Sequence, residues 1–323
     1  QYDIIYHVAG IAHADVGNVS DETKEKYYQV NTDLTIEVAQ KAKEENVKEI
    51  IFMSSMIVYG ESAPYGKKKI IDENTIPTPA NFYGDSKLQA DVAIRELADD
   101  NFKVIVLRPP MIYGKGSKGN YPVLAKLAKK LPVFPDVDNE RSMLYIENLC
   151  EFLCQVMLVR KIRRNVIVLI PQNAEWTNTS VMVRQIANIS GKKIAVFKIM
   201  RPMVAVGGKM PGKIGGLINK AFGNNCYAHE LSKYQGIDYQ KSTLEESVKL
   251  TEANIVNQKK CVLMLASVAS MIDQFNMSNI DILLNMGYKV DVACNFGFGS
   301  TCSDEKITEL KSKLKEKGVE CYQ

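Results

Sequence analysis

The segment KEIIFMSS, residues 48–55, is a continuous apolar run that ends in two serines. A run this short is typical of a strand that is buried on both faces of a parallel sheet. Helical patterns lie on either side, at residues 20–47 and at about 81–99. Apolar strand patterns lie further out, YDIIYHVAG at 2–10 and FKVIVLRPP at 102–110. Strand, helix, strand, helix, strand in this order predicts an α/β fold with a parallel sheet.

The first helical pattern has a defined start and a defined apolar face. Ser20 is the predicted N-cap, and acidic residues follow it in the first turn. The face that we expect to be buried contains Tyr27, Val30, Leu34, Val38 and Ala42. The helix should therefore pack one side against the sheet.

Composition limits the class of protein. The chain has 323 residues, 46% hydrophobic and 24% charged, which is enough for about two domains. The net charge of +4 comes from scattered lysines, so we expect no nucleic-acid partner. The seven cysteines form no Cys-x-x-Cys pair and the three histidines do not cluster, so we expect neither a disulfide framework nor a metal site. The longest apolar run is too short to span a bilayer, and the expected location is the cytoplasm.

The chemistry should lie at the strand ends, because ligands of doubly wound sheets bind outside the carboxyl ends of the strands. Three such ends are visible in the sequence. They are Ala9 and Gly10, Ser54 and Ser55, and the stretch from Arg108 to Tyr113.

Tyr83 and Lys87 lie one helical turn apart at the start of the second helical pattern, where side chains at i and i+4 meet. A free tyrosine, with a pKa of about 10, is a poor base at neutral pH. An ammonium about 4 Å away, at an effective dielectric constant of about 20, favours the phenolate by up to roughly 4 kcal/mol. The spacing also occurs by chance in many helices, so the pair alone leaves two surface residues as the alternative.

Several motifs together resemble the extended short-chain dehydrogenase/reductase family, especially its nucleotide-sugar epimerases, dehydratases and reductases. They are HVAG at 7–10, SSMIVYG at 54–60, the Tyr83 and Lys87 pair, LRPPMIYGKGSKGN at 107–120 and NERSMLYIENL at 139–149. The resemblance runs from residue 1 to about Glu252. It implies a partial Rossmann-type doubly wound parallel sheet with a small substrate subdomain.

The resemblance also implies catalytic and cofactor-binding roles. Ser55 matches the catalytic serine, Tyr83 the acid/base, and Lys87 the residue that lowers the pKa of the tyrosine and holds the nicotinamide ribose. The residues expected around NAD or NADP are Ala9, Gly10, Asn31, Ser54, Tyr83, Lys87 and Pro110. For Asn31 the alternative is that it satisfies a neighbouring backbone group, and Ser54 could be only a strand-end residue.

The implied substrate is a nucleotide sugar, in particular a UDP-sugar. Asn120 and Arg141 match positions that grip its diphosphate, and a guanidinium suits phosphate because its donors form a planar fork. Val133 and Phe134 lie where family members surround the nucleobase. The alternative for Arg141 is a surface salt bridge. A homodimer is also expected.

The implied reaction is hydride transfer at C4 of the sugar, as in a 4-epimerase of surface-polysaccharide synthesis. The alternatives are an NAD(P)H-dependent 4-keto-6-deoxy-sugar reductase and an inactive scaffold. The family's Gly-x-x-Gly-x-x-Gly turn, which holds the cofactor pyrophosphate, does not occur in this sequence before the HVAG strand. We therefore expect about 60 residues of the family pattern to be absent, and the chain as given to be inactive unless another segment substitutes.

A substrate subdomain is expected at about residues 160–240. Its predicted strands are RNVIVLI at 164–170 and KKIAVFKI at 192–199, on either side of a helix capped near Thr179. Within it, GGKMPGKI at 207–214 matches Gly-x-x-x-x-Gly-Lys but continues with Ile214 where a phosphate-binding loop has serine or threonine. We expect this stretch to be a flexible piece of the subdomain.

The strand and helix pattern begins again near residue 261. We expect the first domain at 1–252, a linker at 253–260 and a second, partial βαβα unit at 261–323. The stretch ASMIDQFNMSNIDILLNMGYKVDVACNF, residues 269–296, resembles the start of a family 4 glycosyltransferase lobe. A generic nucleotide-binding or response-type α/β module is the alternative.

Overall fold

The computed structural model describes residues 2–12, 19–158, 165–253, 261–297 and 301–323, without the side chains of Lys213 and Ile214. The chain divides into two compact units, Gln1–Ala253 and Asn254–Gln323. Of the linker expected at 253–260, residues 254–260 lie outside the described residues.

The strands of the first unit belong to one main sheet and to three two-stranded sheets. They are β1 (Ile4–His7), β2 (Glu49–Met53), β3 (Ile70–Ile71), β4 (Lys103–Leu107), β5 (Met111–Tyr113), β6 (Val133–Pro135), β7 (Met143–Tyr145), β8 (Val166–Leu169), β9 (Ala195–Phe197) and β10 (Cys226–Tyr227). Its helices are α1 (Asp21–Tyr28), α2 (Leu34–Glu44), α3 (Phe82–Arg95), α4 (Asn120–Lys130), α5 (Ile146–Leu158), α6 (Thr179–Ile189), α7 (Arg201–Gly207), α8 (Lys213–Phe222) and α9 (Leu244–Glu252).

The main sheet is parallel, in the order β1-β2-β4-β8, and helices cover both of its faces. Ile50 and Phe52 of β2 pack on one face with residues of α2 and α3. Ile51, whose side chain points the other way, packs with residues of α5. This arrangement confirms the predicted α/β fold with a doubly wound parallel sheet.

The prediction for RNVIVLI was wrong. The sequence assigned it to the substrate subdomain, whereas Val166–Leu169 is β8 and pairs with β4 in the main sheet. A short apolar run predicts a buried strand but not its partner, because strand pairing is set by tertiary packing.

The predicted buried face of the first helix was also wrong in part. Ser20 is the N-cap, with its Oγ accepting from the Thr23 backbone N–H at 3.2 Å. However, residues Gln29–Asp33 form one π-helical segment between α1 and α2. Leu34 is consequently 38% exposed, while Thr35 is fully buried. The wider turn accommodates an extra residue and rotates the helix that follows it.

The small subdomain contains β6, which pairs with β9, together with α4, α6, α7 and α8. The N-cap of α6 is Asn178, one residue before the predicted position. The stretch GGKMPGKI runs from the end of α7 into α8. Because a helix leads into it, the context of a phosphate-binding loop is missing. Residues 208–212 form the turn between α7 and α8.

The second unit is a three-stranded parallel sheet in the order β11-β12-β13. Its strands are β11 (Cys261–Val268), β12 (Lys289–Asn295) and β13 (Glu320–Tyr322), and its helices are α10 (Ala269–Phe275), α11 (Met277–Asn285) and α12 (Asp304–Glu316). Gly287 and Gly318, with φ of 85° and 73°, follow α11 and α12 closely. The βαβα pattern thus continues into a third strand, β13.

Candidate active site

The loops that follow β2 and β4 are tied together at the carboxyl edge of the main sheet. The Ser54 backbone N–H donates to the Leu107 carbonyl at 2.8 Å, and that of Met56 donates to the Pro109 carbonyl at 2.9 Å. Ser55 lies between these two bonds and caps the 3₁₀ turn Met56–Tyr59. The position of Ser55 is therefore fixed by the ends of two strands.

Helix α3 packs its first turn directly onto the turn that follows Ser55. Asn81 caps the helix, its Oδ1 accepting from the Gly84 backbone N–H at 3.0 Å. A Cβ at Gly84 would lie only 2.9 Å from the Ile57 carbonyl oxygen. Sequence reasoning missed Gly84, although a glycine inside the first turn of a helix is a signal of close backbone approach.

The Ser55 hydroxyl lies near the Tyr83 phenol and lowers its pKa, but burial has the larger effect and raises the pKa above 10.0. The depressed tyrosine pKa that the sequence predicted is thus not present in this state of the protein. The phenol is protonated at neutral pH.

Lys87 is buried and makes its contacts away from the Tyr83 hydroxyl. Its Nζ donates to the Met53 carbonyl at 3.1 Å and lies 4.8 Å from the centre of the Phe52 ring. Burial lowers the pKa of Lys87 to about 8. The ammonium is therefore close to the end of β2, and it does not contribute to the pKa shift of Tyr83 here.

The turn after β1 meets Lys87 from the other side. A Cβ at Gly10 would lie 2.9 Å from Lys87 Nζ and 3.0 Å from Asn31 Oδ1. Ala9 and Gly10 are exposed, and Pro110 is buried. Ser54 Oγ is buried and has no hydrogen-bond partner among the described residues. A bare glycine turn beside a cation, with an unsatisfied hydroxyl on the adjacent strand end, fits a polar ligand at this edge.

Asn31 is fully buried and bonded within the protein. Its Oδ1 accepts from the Ile11 backbone N–H at 2.7 Å, while its Nδ2 donates to the Ile11 carbonyl and to Ser86 Oγ, both at 3.1 Å. Asn31 therefore satisfies a neighbouring backbone group, which is one of the two interpretations that its sequence position allowed. It holds the turn after β1 against α3.

His7 is a buried neighbour of this site that sequence reasoning did not single out. Its Nε2 lies 3.1 Å from Thr35 Oγ1, and that hydroxyl donates its own proton to the Asn31 carbonyl at 2.8 Å. His7 Nε2 must then be the donor, which makes Nδ1 the acceptor in the neutral ring. Burial and the Lys87 charge lower the pKa of His7.

A buried ion pair fixes α3 one turn beyond Lys87. Arg108, which follows β4, donates from Nε and Nη2 to the two carboxylate oxygens of Asp91 at 2.8 and 2.9 Å. Its Nη1 donates to the Tyr59 hydroxyl at 2.7 Å. Burial alone would lower the pKa of Arg108, but the pairing with Asp91 raises it above its ordinary value. The bidentate pair locks α3 to the sheet.

A cavity of about 180 Å³ lies in the small subdomain. Three of the four predicted substrate residues, Asn120, Phe134 and Arg141, line it. Val133, which precedes Phe134 in β6, is 42% exposed and is not part of the lining. The structure thus brings together the residues expected at the diphosphate and one of the two expected at the nucleobase.

Arg141 is held in the wall of this cavity by hydrogen bonds from its backbone and from its side chain. Its N–H donates to the Thr177 carbonyl at 2.8 Å, and its Nη1 donates to the Lys220 carbonyl at 2.5 Å. Burial lowers the pKa of the guanidinium. In the part of the chain that the structure describes, no carboxylate forms an ion pair with Arg141. A half-buried cation without an acidic partner among the described residues is suited to an anionic ligand.

Much of the cavity wall was not predicted. The residues that sequence reasoning missed are Met111, Tyr121, Val123, Leu124, Leu127, Met143, Thr177, Asn178, Thr179, Met182, Leu217, Lys220, Ala221 and Phe222. Those on α8 recur at i, i+3 and i+4, but the adjacent glycines concealed the helical pattern.

Two further structural observations concern metals and membranes. Within residues 2–12, 19–158, 165–253, 261–297 and 301–323, no three His, Cys, Asp or Glu side chains form a group that could hold a metal ion. The helices in these same ranges are too short or too polar to cross a membrane.

A serine, a tyrosine and a lysine lie at the carboxyl edge of a doubly wound parallel sheet, with a glycine turn beside the lysine, which is the arrangement expected of an extended short-chain dehydrogenase/reductase. The chain belongs to the NAD dependent epimerase/dehydratase family, whose model matches residues 1–169.

Two curated relatives are 4-epimerases. The chain is 31% identical over 188 residues to a UDP-glucose 4-epimerase of Vibrio cholerae, a match that covers 57% of this chain and 56% of that protein. It is 36% identical over 132 residues to the N-acetyl-alpha-D-glucosaminyl-diphospho-ditrans,octacis-undecaprenol 4-epimerase of Escherichia coli O157:H7, covering 39% of this chain and 38% of that protein. The chain thus spans about half the length, or less, of the curated relatives that it matches.

The fold is also that of solved epimerases. The structure of UDP-glucuronic acid 4-epimerase from Bacillus cereus in complex with NAD aligns with a TM-score of 0.57 at 17% identity. The alignment covers 77% of this chain and 73% of that chain. At this identity the likeness establishes the fold.

Proposed function

We propose that the protein is an NAD(P)-dependent 4-epimerase of sugars carried on a diphosphate, in particular UDP-sugars. The observation that carries the proposal is the arrangement at the carboxyl edge of the sheet. There Ser55 lies near the Tyr83 phenol, whose pKa it lowers, and Lys87 lies one turn further along α3, beside Gly10. The two 4-epimerase relatives support the same reaction.

The residues that would hold the cofactor are those around the glycine turn. Gly10 leaves room beside Lys87 Nζ, and Ser54 Oγ offers a buried hydroxyl that the described residues leave unsatisfied. Lys87 would release the Met53 carbonyl and donate to the ribose hydroxyls. A nicotinamide bound here would accept a hydride from C4 of the sugar and return it to the opposite face.

Tyr83 then moves the proton of the 4-hydroxyl. Since burial holds its pKa above 10.0, Tyr83 needs the positive charge of Lys87 nearby before it can act as a base. Ser55 donates to the same sugar oxygen as negative charge develops on it. The two hydroxyl groups would thus share one substrate oxygen.

Arg141 and Asn120 would bind the diphosphate in the cavity of the small subdomain. Phe134 would lie beside the nucleobase of a UDP-sugar. Beyond its bond to the Lys220 carbonyl, the guanidinium has further N–H donors that could form charge-assisted hydrogen bonds with a diphosphate. The diphosphate is the part shared by a UDP-sugar and a lipid-linked sugar.

The test is a cofactor balance with the natural full-length protein. It is supplied with NAD, then separately with UDP-N-acetylhexosamines and with a 4-keto sugar nucleotide plus NADPH. Interconversion of the C4 epimers without net cofactor use is expected. Stoichiometric NADPH oxidation with the 4-keto sugar would instead show a reductase, and failure to bind either cofactor would favour a non-catalytic scaffold.

For the second unit, the start of a family 4 glycosyltransferase lobe stays a prediction. Its support is the parallel β11-β12-β13 sheet with its connecting helices, which suits a Rossmann-type lobe. Together with the epimerase it would suit a protein of surface-polysaccharide synthesis. Sugar transfer from a nucleotide sugar that survives Tyr83→Phe, and is lost when residues 261–323 are removed, would support it.

A further inference from the structure

The charge of the chain is unevenly distributed along the sequence. From Trp176 to His229 there are eight lysines and arginines and no aspartate or glutamate. All 37 acidic residues of the chain lie outside this segment, together with 33 of its 41 basic ones. The small net charge of the chain therefore conceals one segment that is locally basic.

The same segment exposes large apolar side chains. On α7 and the turn before it, Ile199, Met203 and Val206 recur at i, i+4 and i+7 and are 85%, 68% and 67% exposed. Leu217 on α8 is 67% exposed. The opposite side of α7 packs against the protein, since Val204 is buried and Gly207 contacts Ile218 of α8. The exposed side chains are thus not needed to hold the two helices together.

Basic side chains lie among these apolar ones. Lys198, Lys209 and Lys220 are exposed and form no ion pair with any described carboxylate. Arg201 is partly engaged, by Asp138 at 3.0 Å and by the Asp136 carbonyl at 2.6 Å. We define the interfacial surface as Phe197, Lys198, Ile199, Met203, Val206, Lys209, Met210, Leu217 and Lys220.

This combination selects one kind of partner. Exposed apolar side chains of this size on neighbouring helices mark an interaction site and are unusual on a freely solvated face. Large apolar side chains interleaved with lysines match a surface that enters the headgroup region of a bilayer with anionic lipids, and the acidic neighbour Asp138 is paired with Arg201. A nucleic acid would account for the lysines but not for Ile199, Met203 and Val206.

The interfacial surface is continuous with the cavity. Leu217 and Lys220 belong to both, and Val123 and Leu127 of α4 line the cavity while being 59% and 38% exposed. We propose that the interfacial surface docks the protein onto the surface of an anionic lipid bilayer, with the mouth of the cavity next to the headgroups. The docking does not depend on the proposed catalytic activity.

The test is co-sedimentation of the full chain with lipid vesicles. Vesicles of phosphatidylcholine alone are compared with vesicles that contain about a third phosphatidylglycerol. We expect the partition coefficient to rise at least about tenfold with the anionic lipid, and to fall as salt screens the lysines. Equal partition into both kinds of vesicle would overturn the proposal.

Matched variants locate the surface. The double variant Met203→Glu and Val206→Glu should lower vesicle binding at least about tenfold, because it places charge where the apolar side chains enter. The control is Ile76→Glu, at an isoleucine that is 76% exposed outside the segment, and it should bind as the parent does. Likewise, the double variant Lys198→Glu and Lys209→Glu should lower vesicle binding. Its control is the double variant Lys67→Glu and Lys68→Glu, at two exposed lysines outside the segment, which should bind as the parent does. Equal losses in test and control variants would contradict the assignment.

Two more measurements keep the test decisive. Amide hydrogen exchange of the unmodified chain should slow within residues 197–220 when anionic vesicles are added, so the result does not rest on the variants folding. Tyr83→Phe should bind vesicles like the parent, which separates this proposal from the epimerase. If the surface instead pairs two copies of the chain in solution, vesicles will not slow exchange there and Met203→Glu will give a monomer, which would overturn membrane docking.

Discussion

At the scale of single residues, the site is built around a cation that folding disfavours. Lys87 is 5% exposed, and burial lowers its pKa to about 8 from about 10.4 in an unfolded chain. Below pH 8 both states carry the charge, and the folded state bears the desolvation penalty. Between about pH 8 and 10.4 the unfolded state binds more protons, so stability rises with pH there.

Lys87→Met should therefore make the protein more stable while removing activity. The shift corresponds to about 3 kcal/mol at pH 7, less about 1 kcal/mol for the lost bond to the Met53 carbonyl. The gain should disappear as the pH approaches about 10.5. Denaturant unfolding at several pH values measures it, with Lys48→Met at an exposed lysine as the control. A variant less stable than the parent at pH 7 would show that the buried charge is better compensated than its contacts indicate.

The Asp91 and Arg108 pair gives a second prediction for single residues. Asp91→Ala leaves the buried Arg108 guanidinium without its carboxylate and should destabilise the first unit by about 3–5 kcal/mol. Asp238→Ala removes a carboxylate from an exposed pair with Lys241 and should leave the unfolding midpoint nearly unchanged. Similar midpoints for both variants, measured by urea unfolding, would contradict a role for the buried pair in holding α3.

At the scale of helices and strands, the approach of α3 to the Ser55 turn depends on a glycine. In Gly84→Ala the new Cβ would meet the Ile57 carbonyl oxygen at 2.9 Å and Pro79 Cβ at 3.1 Å. We expect the first turn of α3 to shift and kcat to fall by at least about tenfold, since misplacement of reacting groups by about 1 Å is costly.

The matched control is Gly216→Ala in α8, where nothing lies within 4 Å of the added Cβ. It should stabilise the protein by about 0.5–1 kcal/mol through helix propensity and leave kcat unchanged. Steady-state kinetics of the two variants decide the matter, and a Gly84→Ala enzyme with the parent kcat would show that the contact does not position Tyr83.

The sequence predicted local patterns better than the contacts between them. Helix α3, its Tyr83 and Lys87 pair and the strand that ends at Ser55 follow from periodicity and motif. The π-helical segment does not. Asn31 within it bonds the Ile11 backbone, and local periodicity does not reveal a contact between residues 20 positions apart. The position of β8 in the main sheet depends on its pairing with β4. Helix α8, which forms part of the cavity wall, was not predicted because glycines interrupt its apolar pattern.

At the scale of the whole molecule, the two units should unfold separately. If the cofactor binds only to the first unit, a concentration of 100 times Kd adds about 2.7 kcal/mol to that unit alone. Calorimetry with and without NAD should then show two transitions, one of which moves to higher temperature. A single transition, or an equal shift of both, would contradict independent units with one cofactor site.

In the proposed reaction the hydride of C4 would pass to bound NAD and return to the same carbon on its other face, while Tyr83, Ser55 and Lys87 control the proton of the 4-hydroxyl. The most direct measurement uses a UDP-N-acetylhexosamine that carries deuterium at C4, the natural full-length protein and NMR of the product in ordinary water. We predict a C4-inverted product that keeps its deuterium, and no inversion by Tyr83→Phe. An inverted product with hydrogen at C4 would mean exchange with solvent and would contradict the account, as would the absence of inversion in the parent protein.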